Sequence, residues 1–384
     1  RQSARPGKKS PAYDWHAANS AVFGEKSSWE RVNYYANHES DDALKPYGWA
    51  GKHWSSAVAA EHRATRENAG LFDESSFAKA IVSGAQAAEF LNWVCANDVV
   101  KGVGRTVYTQ ALNTRGGIES DYTVTQTGET EFFIITGTAF STHDFGWLEK
   151  QKRERGFNDV TIKVVTEEFA CFALMGPKAR TILSKATDYD LSHANFPFMH
   201  SREINIAGTK VRATRLTYVG ELGWEIYVPV ADGRKVWEAL IAAGKDEGLM
   251  PCGYRAIESL RLEKGYRAWA GEINTETTPY EAGLGFAISK KKEKFLGKDA
   301  LTSAKPTRKL VAMTFDDIRQ VPLGNEPVRI NGSVVGRVKS GGQGYTINKA
   351  IGYAYLPTEH TTPGTSVDVE FFGTWATGVI CEEP

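Results

Sequence analysis

Apolar and polar positions alternate along VYTQALN (107–113), DYTVTQT (121–127) and EFFIITG (131–137), with turn residues between the runs. A period of two bounded by turns predicts three strands of an antiparallel meander, and HDFGWLEKQKRER (143–155) predicts a helix after it. Upstream, VAAEHRATRENAG (58–70) reads as a helix ending on Gly70 and LFDESSFAKAIVSG (71–84) as a strand. AQAAEFLNWVCAND (85–98) then reads as a second helix, with Ala88, Leu91, Trp93 and Cys95 near its apolar stripe.

The same theme returns downstream. TIKVVTEEFACFALMG (161–176) is strand-like, and GPKARTILSKA (176–186) reads as a helix opened by proline. REINIAGTKVRATRLTY (202–218) predicts a hairpin turning at Ala207-Gly208, followed by the strand ELGWEIYVPV (221–230) and the helix GRKVWEALIAAGKDEG (233–248). Similar element order in the two halves points to an internal α+β duplication. Past residue 305 short strands take over, with Asn331-Gly332 as the strongest hairpin signal, which predicts a small β-barrel or sandwich. The expected organisation is an N-terminal aromatic arm over 1–50, α+β parts over 51–165 and 166–305, and a β-domain over 306–384. The arm is expected to pack its aromatic side chains on a neighbouring surface rather than fold alone. The lysine run at 290–294, KKKEK, reads as a solvated turn.

Composition narrows the partners. Lys+Arg and Asp+Glu are equal at 46 each, so no global charge draws the chain to nucleic acid or to an anionic membrane. Small molecules become the expected ligands. No apolar run approaches the roughly 18–20 residues of a membrane span. The four cysteines, at 95, 171, 252 and 381, are scattered without metal-ligand spacing and are expected to be reduced thiols in a cytosol-like compartment. The basic first residues lack the apolar stretch of a signal peptide and there is no initial methionine, so the chain reads as cut or processed from something longer.

Three places could carry chemistry. In LNTRGGIESDYTV (112–124) a glycine pair, which lets backbone approach a ligand closely, precedes Glu119 and Asp121. Strand alternation puts Asp121, Thr123 and Thr125 on one polar face and Tyr122 and Val124 on the other; whether Glu119 shares the face of Asp121 is left open. In TYVGELGWEIYV (217–228), Glu225 points away from Trp224 and Ile226, a carboxylate able to take two donors from a guanidine-like edge; the bland alternative is a satisfied surface glutamate. In PCGYRAIESLRLEKGYRAW (251–269), read as a helix opened by Pro251 and Gly253, Arg255 opposes the helix dipole and so suggests a separate duty toward an anion. Walker, HExxH, GxSxG and Rossmann patterns are absent, and Ser340-Gly-Gly-Gln-Gly344 reads as a loop, so the chain shows no motif for a nucleotide or flavin.

These stretches, together with SAVFGEKSSWER (20–31), FALMGPKAR (172–180), ESLRLEKGYRAWAGEINTETTPYEAGL (258–284) and IGYAYLP (351–357), resemble the folate-binding half of the dimethylglycine and sarcosine dehydrogenase family, which is similar to the aminomethyltransferase, or T-protein, of the glycine cleavage system. The resemblance implies an α+β cloverleaf of three domains: two α+β domains with antiparallel sheets, which form the folate-binding region, and a C-terminal β-barrel. Tetrahydrofolate would occupy a central cavity. Asp121 would lie near pterin N5 and N10 as electrostatic stabiliser and general acid/base, with Tyr108 and Tyr218 beside it. Glu225 would grip the aminopyrimidine edge, and Arg255 would face the aminobenzoyl-glutamate. Gly137 stands where glycine-cleavage enzymes carry an asparagine, so the substrate need not be a lipoyl-carrier adduct. The implied reaction captures an iminium or formaldehyde unit from an oxidised methylamine as 5,10-methylene-tetrahydrofolate. A flavin domain, or a flavin subunit as partner, would lie outside this chain. The implied location is cytoplasmic, or the mitochondrial matrix in a eukaryote. Two other readings stand beside it: a free-standing demethylase giving 5-methyl-tetrahydrofolate from an N-, O- or S-methyl donor, and a non-catalytic folate-binding or assembly module.

Overall fold

The computed structural model describes residues 4–383. The N-terminal segment is more ordered than an arm: it forms helix α1 (Tyr13–Ala18) and a hairpin of β1 (Ala21–Lys26) and β2 (Trp29–Tyr35). Its aromatic residues do pack on a neighbouring surface. Trp15 meets Trp237 with ring centroids 5.4 Å apart. Beneath it the buried His16 bridges Asp73, through Nε2 at 2.8 Å, and the Tyr35 hydroxyl, through Nδ1 at 2.8 Å.

Helix α2 (Ala57–Glu67) stops before Gly70, which lies in β3 (Ala69–Asp73). That glycine serves packing rather than capping, because a Cβ there would overlap Thr65 and Phe72. The stretch expected to be one strand divides at Glu74–Phe77 into β3 and β4 (Ala78–Ser83), which enter different sheets. Helix α3 (Ala87–Val94) buries Ala87, Phe90, Leu91 and Val94, so the true stripe is offset from the expected one; Leu91 is common to both, Cys95 is buried just past the helix end, and Ala88 and Trp93 are half-buried. The expected meander follows as β5 (Thr106–Leu112), β6 (Ile118–Gly128) and β7 (Glu131–Thr136), then α4 (Ser141–Arg155) closes on Gly156 at φ 75°.

The second long strand-like stretch also divides, into β8 (Thr161–Val164) and β9 (Phe169–Met175), again in separate sheets. Then come α5 (Ala179–Ala186), β10 (Ser201–Ile206), β11 (Thr209–Arg215), β12 (Gly223–Pro229), α6 (Gly233–Gly244), β13 (Leu249–Cys252) and α7 (Tyr254–Glu263). The β10–β11 turn has positive φ at Ala207 (52°) and Gly208 (77°), the signature of the tight hairpin its sequence predicts. Pro251 lies on β13, not at a helix start; Gly253, extended at φ −105° and ψ 175°, is the junction into α7.

Five strands pair as β5-β6-β7-β4-β8 and six as β10-β11-β12-β9-β3-β13. Both sheets have one topology, with the same strand directions, except that β3 is inserted between β9 and β13. This is the duplication the element order suggested. Each sheet backs onto its own helices, and Phe133, Ile135, Cys171 and Tyr227 pack where the two sheets meet.

After α8 (Lys298–Ser303), six strands close a barrel: β14 (Arg308–Phe315), β15 (Pro327–Ile330), β16 (Ser333–Gly344), β17 (Lys349–Pro357), β18 (Ser366–Phe371) and β19 (Thr374–Cys381). Asn331 and Gly332 form its hairpin turn. The Gly-rich run expected as a loop is the end of β16, where a Cβ on Gly341 would overlap Pro322 and one on Gly342 would lie 2.6 Å from Leu262.

The lysine run is also not a plain solvated turn. Lys292 reaches back to the C-terminus of α3, and its ammonium donates to the carbonyls of Asn92, Cys95 (2.6 Å) and Asn97 (3.0 Å), while its neighbours in the run stay exposed. A cation on unsatisfied helix carbonyls is favourable. All four cysteines are free, and among the described residues no helix is long and apolar enough to cross a membrane.

Candidate functional site

A cavity of about 1060 Å³ lies where the two sheets face each other. β5, β6 and β7 wall one side, β12 and α7 the other, and residues after α7 and the rim of the β1–β2 hairpin complete it. The five residues assigned to a folate site, Tyr108, Asp121, Tyr218, Glu225 and Arg255, all line this one cavity.

Alternation on β6 sends the Tyr122 and Val124 side chains into the core behind the sheet and turns Asp121 and Thr123 to the cavity. Thr125, on the same face, is covered through its contact with Thr106 at 2.9 Å. Tyr108, opposite Thr123 on β5, donates its hydroxyl to Asp121 Oδ2 at 3.2 Å and stacks against Phe286 with centroids 6.3 Å apart. Burial pushes Asp121 up to about 7; the charge of Asp144 adds to the shift and the Tyr108 bond opposes it. A carboxyl poised there can hold or release a proton at neutral pH.

Glu119 takes another path. A register shift between Ala111 and Leu112 leaves it as the extra residue of β6, and it meets His143 Nε2 at 3.2 Å outside the cavity lining. The glycine pair before it admits backbone rather than a ligand, since a Cβ on Gly117 would overlap the Thr275 carbonyl. Gly137 lines the cavity and brings no side chain to it.

On β12, Trp224 and Ile226 enter the opposite core, so Glu225 faces the cavity, where it accepts from the Tyr227 hydroxyl. Burial raises it to about 6. The Glu74 carboxyl is buried near it, with Oε2 lacking a hydrogen-bond partner. Burial, then the charge of Glu225, holds Glu74 well above the carboxylate range, while Arg31 and Lys79 work the other way. Lys79 is itself fully buried, capped by the carbonyls of Ser75 and Phe77 at 2.8 Å each, and burial lowers it to about 8.

Arg255 and Arg31 both line the cavity without an ion pair among the described residues. Arg255, in the first turn of α7, lies 5.5 Å from the Tyr34 ring centroid. Arg31, on β2, lies 3.2 Å over the Tyr254 ring, with its Nε buried and unpartnered. Tyr218 spends its hydroxyl on the Arg267 carbonyl at 2.9 Å and so offers the cavity its ring. Arg31, Glu74, Lys79 and Tyr254 were not singled out from the sequence. Glu74 sits at the unforeseen break between β3 and β4, and Arg31 acts from a segment expected to be irregular. One signal existed: Lys26 and Arg31 fall on one face of an alternating hairpin.

Comparison with known proteins bears on this arrangement. The GCVT N-terminal domain family matches residues 12–292, and the glycine cleavage T-protein C-terminal barrel domain matches residues 308–384. The chain is 35% identical over 367 residues to mitochondrial dimethylglycine dehydrogenase of Mus musculus, covering 94% of this chain and 42% of that protein, so it spans well under half of that relative's length. It is 37% identical over 366 residues to an aminomethyltransferase of Symbiobacterium thermophilum, covering 93% of this chain and 97% of that one. The glycine cleavage system aminomethyltransferase T from Bartonella henselae superposes with a TM-score of 0.84 at 28% identity, over 98% of this chain and 97% of that chain. The chain therefore belongs to the aminomethyltransferase, or T-protein, family and is homologous to the folate-binding region of the dimethylglycine and sarcosine dehydrogenases.

Proposed function

We propose that this chain transfers a one-carbon unit from an oxidised methylamine of the dimethylglycine or sarcosine kind to tetrahydrofolate, giving 5,10-methylene-tetrahydrofolate. Family membership implies tetrahydrofolate use, and the cavity's chemistry fits that ligand. Glu225, facing the cavity, suits an edge of N–H donors. The rings of Tyr108, Tyr218 and Phe286 suit a flat heterocycle, and the unpaired guanidinium of Arg255 suits a carboxylate tail.

The observation that carries the reading is Asp121: a half-buried carboxyl in the cavity wall, held by Tyr108 and pushed up to about 7 by its low-dielectric surroundings. Tetrahydrofolate, when bound, supplies the nucleophilic N5 and N10 that accept the unit. As the carboxylate, Asp121 stabilises positive charge developing beside it and accepts a proton; as the acid it returns one. The cavity wall strengthens both effects, because it screens them less than open water does. Creating an iminium from an amine requires an oxidant; a flavin domain or subunit is the proposed source, a reading supported by the similarity to dimethylglycine dehydrogenase.

Calorimetric titration of the chain with tetrahydrofolate, beside Glu225→Ala, tests the binding half. Micromolar affinity that the variant loses supports the assignment, and equal affinity in both removes Glu225 from it. Asp121→Asn should keep affinity and slow transfer by about 10²-fold or more; unchanged turnover would leave a binding module without a reacting carboxylate.

A further inference from the structure

Behind Asp121 lies a polar cluster that the proposed reaction does not use. Asp144, on α4, is buried; its Oδ1 accepts from Ser120 Oγ at 2.9 Å and from His143 Nδ1 at 2.8 Å, and its Oδ2 accepts from Thr136. Burial raises the Asp144 carboxyl, but every one of its partners, His143, Thr136 and Ser120, can donate to it, and those bonds favour the ionised form. Ser120 is the residue before Asp121, so the cluster touches the same turn of β6 that aims Asp121 into the cavity.

His143 closes the cluster toward solvent. Its Nδ1 faces Asp144 and its Nε2 faces Glu119 at 3.2 Å, and the ring lies 5.8 Å from that of Trp269, a cavity-lining residue. Carboxylate oxygens only accept, so satisfying both nitrogens takes a proton on each. The geometry therefore selects the imidazolium. Burial works against that charge, but the bond to Asp144 and the charges of Asp144 and Glu119 outweigh it, so His143 is raised above the ordinary imidazole value.

We propose that His143 is a positioning residue for Asp121: clamped between Glu119 and Asp144, its proton governs how much of the Asp144 charge reaches the reacting carboxyl. With His143 protonated, the His143–Asp144 pair is neutral and Asp121 ionises more readily. Without that proton, the Asp144 charge stands uncompensated and opposes ionisation of Asp121. The two acids spaced two apart on β6 then have complementary tasks: one faces the cavity, and the other holds the histidine that tunes it. The inference rests on Asp121 being the reacting group, as proposed above.

The test is a ¹³C NMR titration of the full chain labelled at aspartate carboxyls, with the Asp121 resonance assigned as the one missing from Asp121→Asn. His143→Gln should move the Asp121 midpoint to higher pH by about half to one unit. His143→Lys, which returns the charge, should restore it, and Glu119→Gln should shift it in the same upward direction by less. An unchanged midpoint in His143→Gln, or the same shift in His143→Lys, overturns the proposal, the latter by showing loss of shape rather than charge. Turnover of Asp121→Asn decides the parent reading separately: if it is unaffected, that reading fails while the midpoints still report on His143.

Discussion

Asp121→Asn should make the protein more stable at alkaline pH even as it removes the reacting carboxyl. The group is pushed up to about 7 in the folded chain, against about 3.9 in an unfolded one. Between those values the folded state keeps a proton that the unfolded state releases, so folding stability falls as pH rises and levels off above about 7. About three pH units at 1.36 kcal/mol each make the full loss about 4 kcal/mol. Asparagine carries no charge to desolvate and can still accept from Tyr108. Urea unfolding followed by the fluorescence of the 10 tryptophans reads the difference. Near pH 4 wild type and variant should be close, and near pH 8.5 the variant should lead by up to about 4 kcal/mol. A stability difference that does not change with pH, or a variant weaker at pH 8.5, would refute a raised pKa at this cavity carboxyl and with it the case for proton transfer at neutral pH.

Elsewhere, Lys292→Met should lower stability by about 2–3 kcal/mol, because three carbonyls at and beyond the end of α3 lose a charged donor; an unchanged melting temperature would return the lysine run to a solvated turn. Gly176→Ala should cost several-fold more than Gly102→Ala: a Cβ on Gly176, at φ 143°, would lie 2.5 Å from Ala69 and Asn68, whereas Gly102, at φ 97°, has open space and about 1 kcal/mol of backbone strain at stake. Equal losses in thermal melts would deny that close approach.

Local pattern reached some of these features and missed others for identifiable reasons. Alternation through Asp121-Tyr122-Thr123-Val124 and Trp224-Glu225-Ile226 was enough to aim both acids, because each strand has a core on one side and the cavity on the other. The resemblance supplied what pattern left open, namely that those faces meet. Stretches read as one strand, such as LFDESSFAKAIVSG, hid a change of sheet, since periodicity carries no mark of which partner a strand takes, and Glu74 was lost with it. Lys292 was invisible for a similar reason: a run of like charges reads as solvated until a helix end 197 residues away in sequence is brought against it. Arg31 needed the docking of β2 on the start of α7, where a Cβ on Gly253 would overlap Asn33.

The insertion of β3 between β9 and β13 also bears on how the chain can be made and divided. Translation completes the five-stranded sheet once β8 has emerged, but β3, made earlier, must wait for β9 and β13. Four of its five residues are buried in the finished fold, so during that wait an apolar strand has both edges open to unwanted pairing. A ribosome stalled before β9 would release a chain with a sticky segment, a natural target for chaperones. A split protein cut between the two sheets along the sequence would leave β3 on the wrong fragment; working halves would have to carry residues 69–73 with the second.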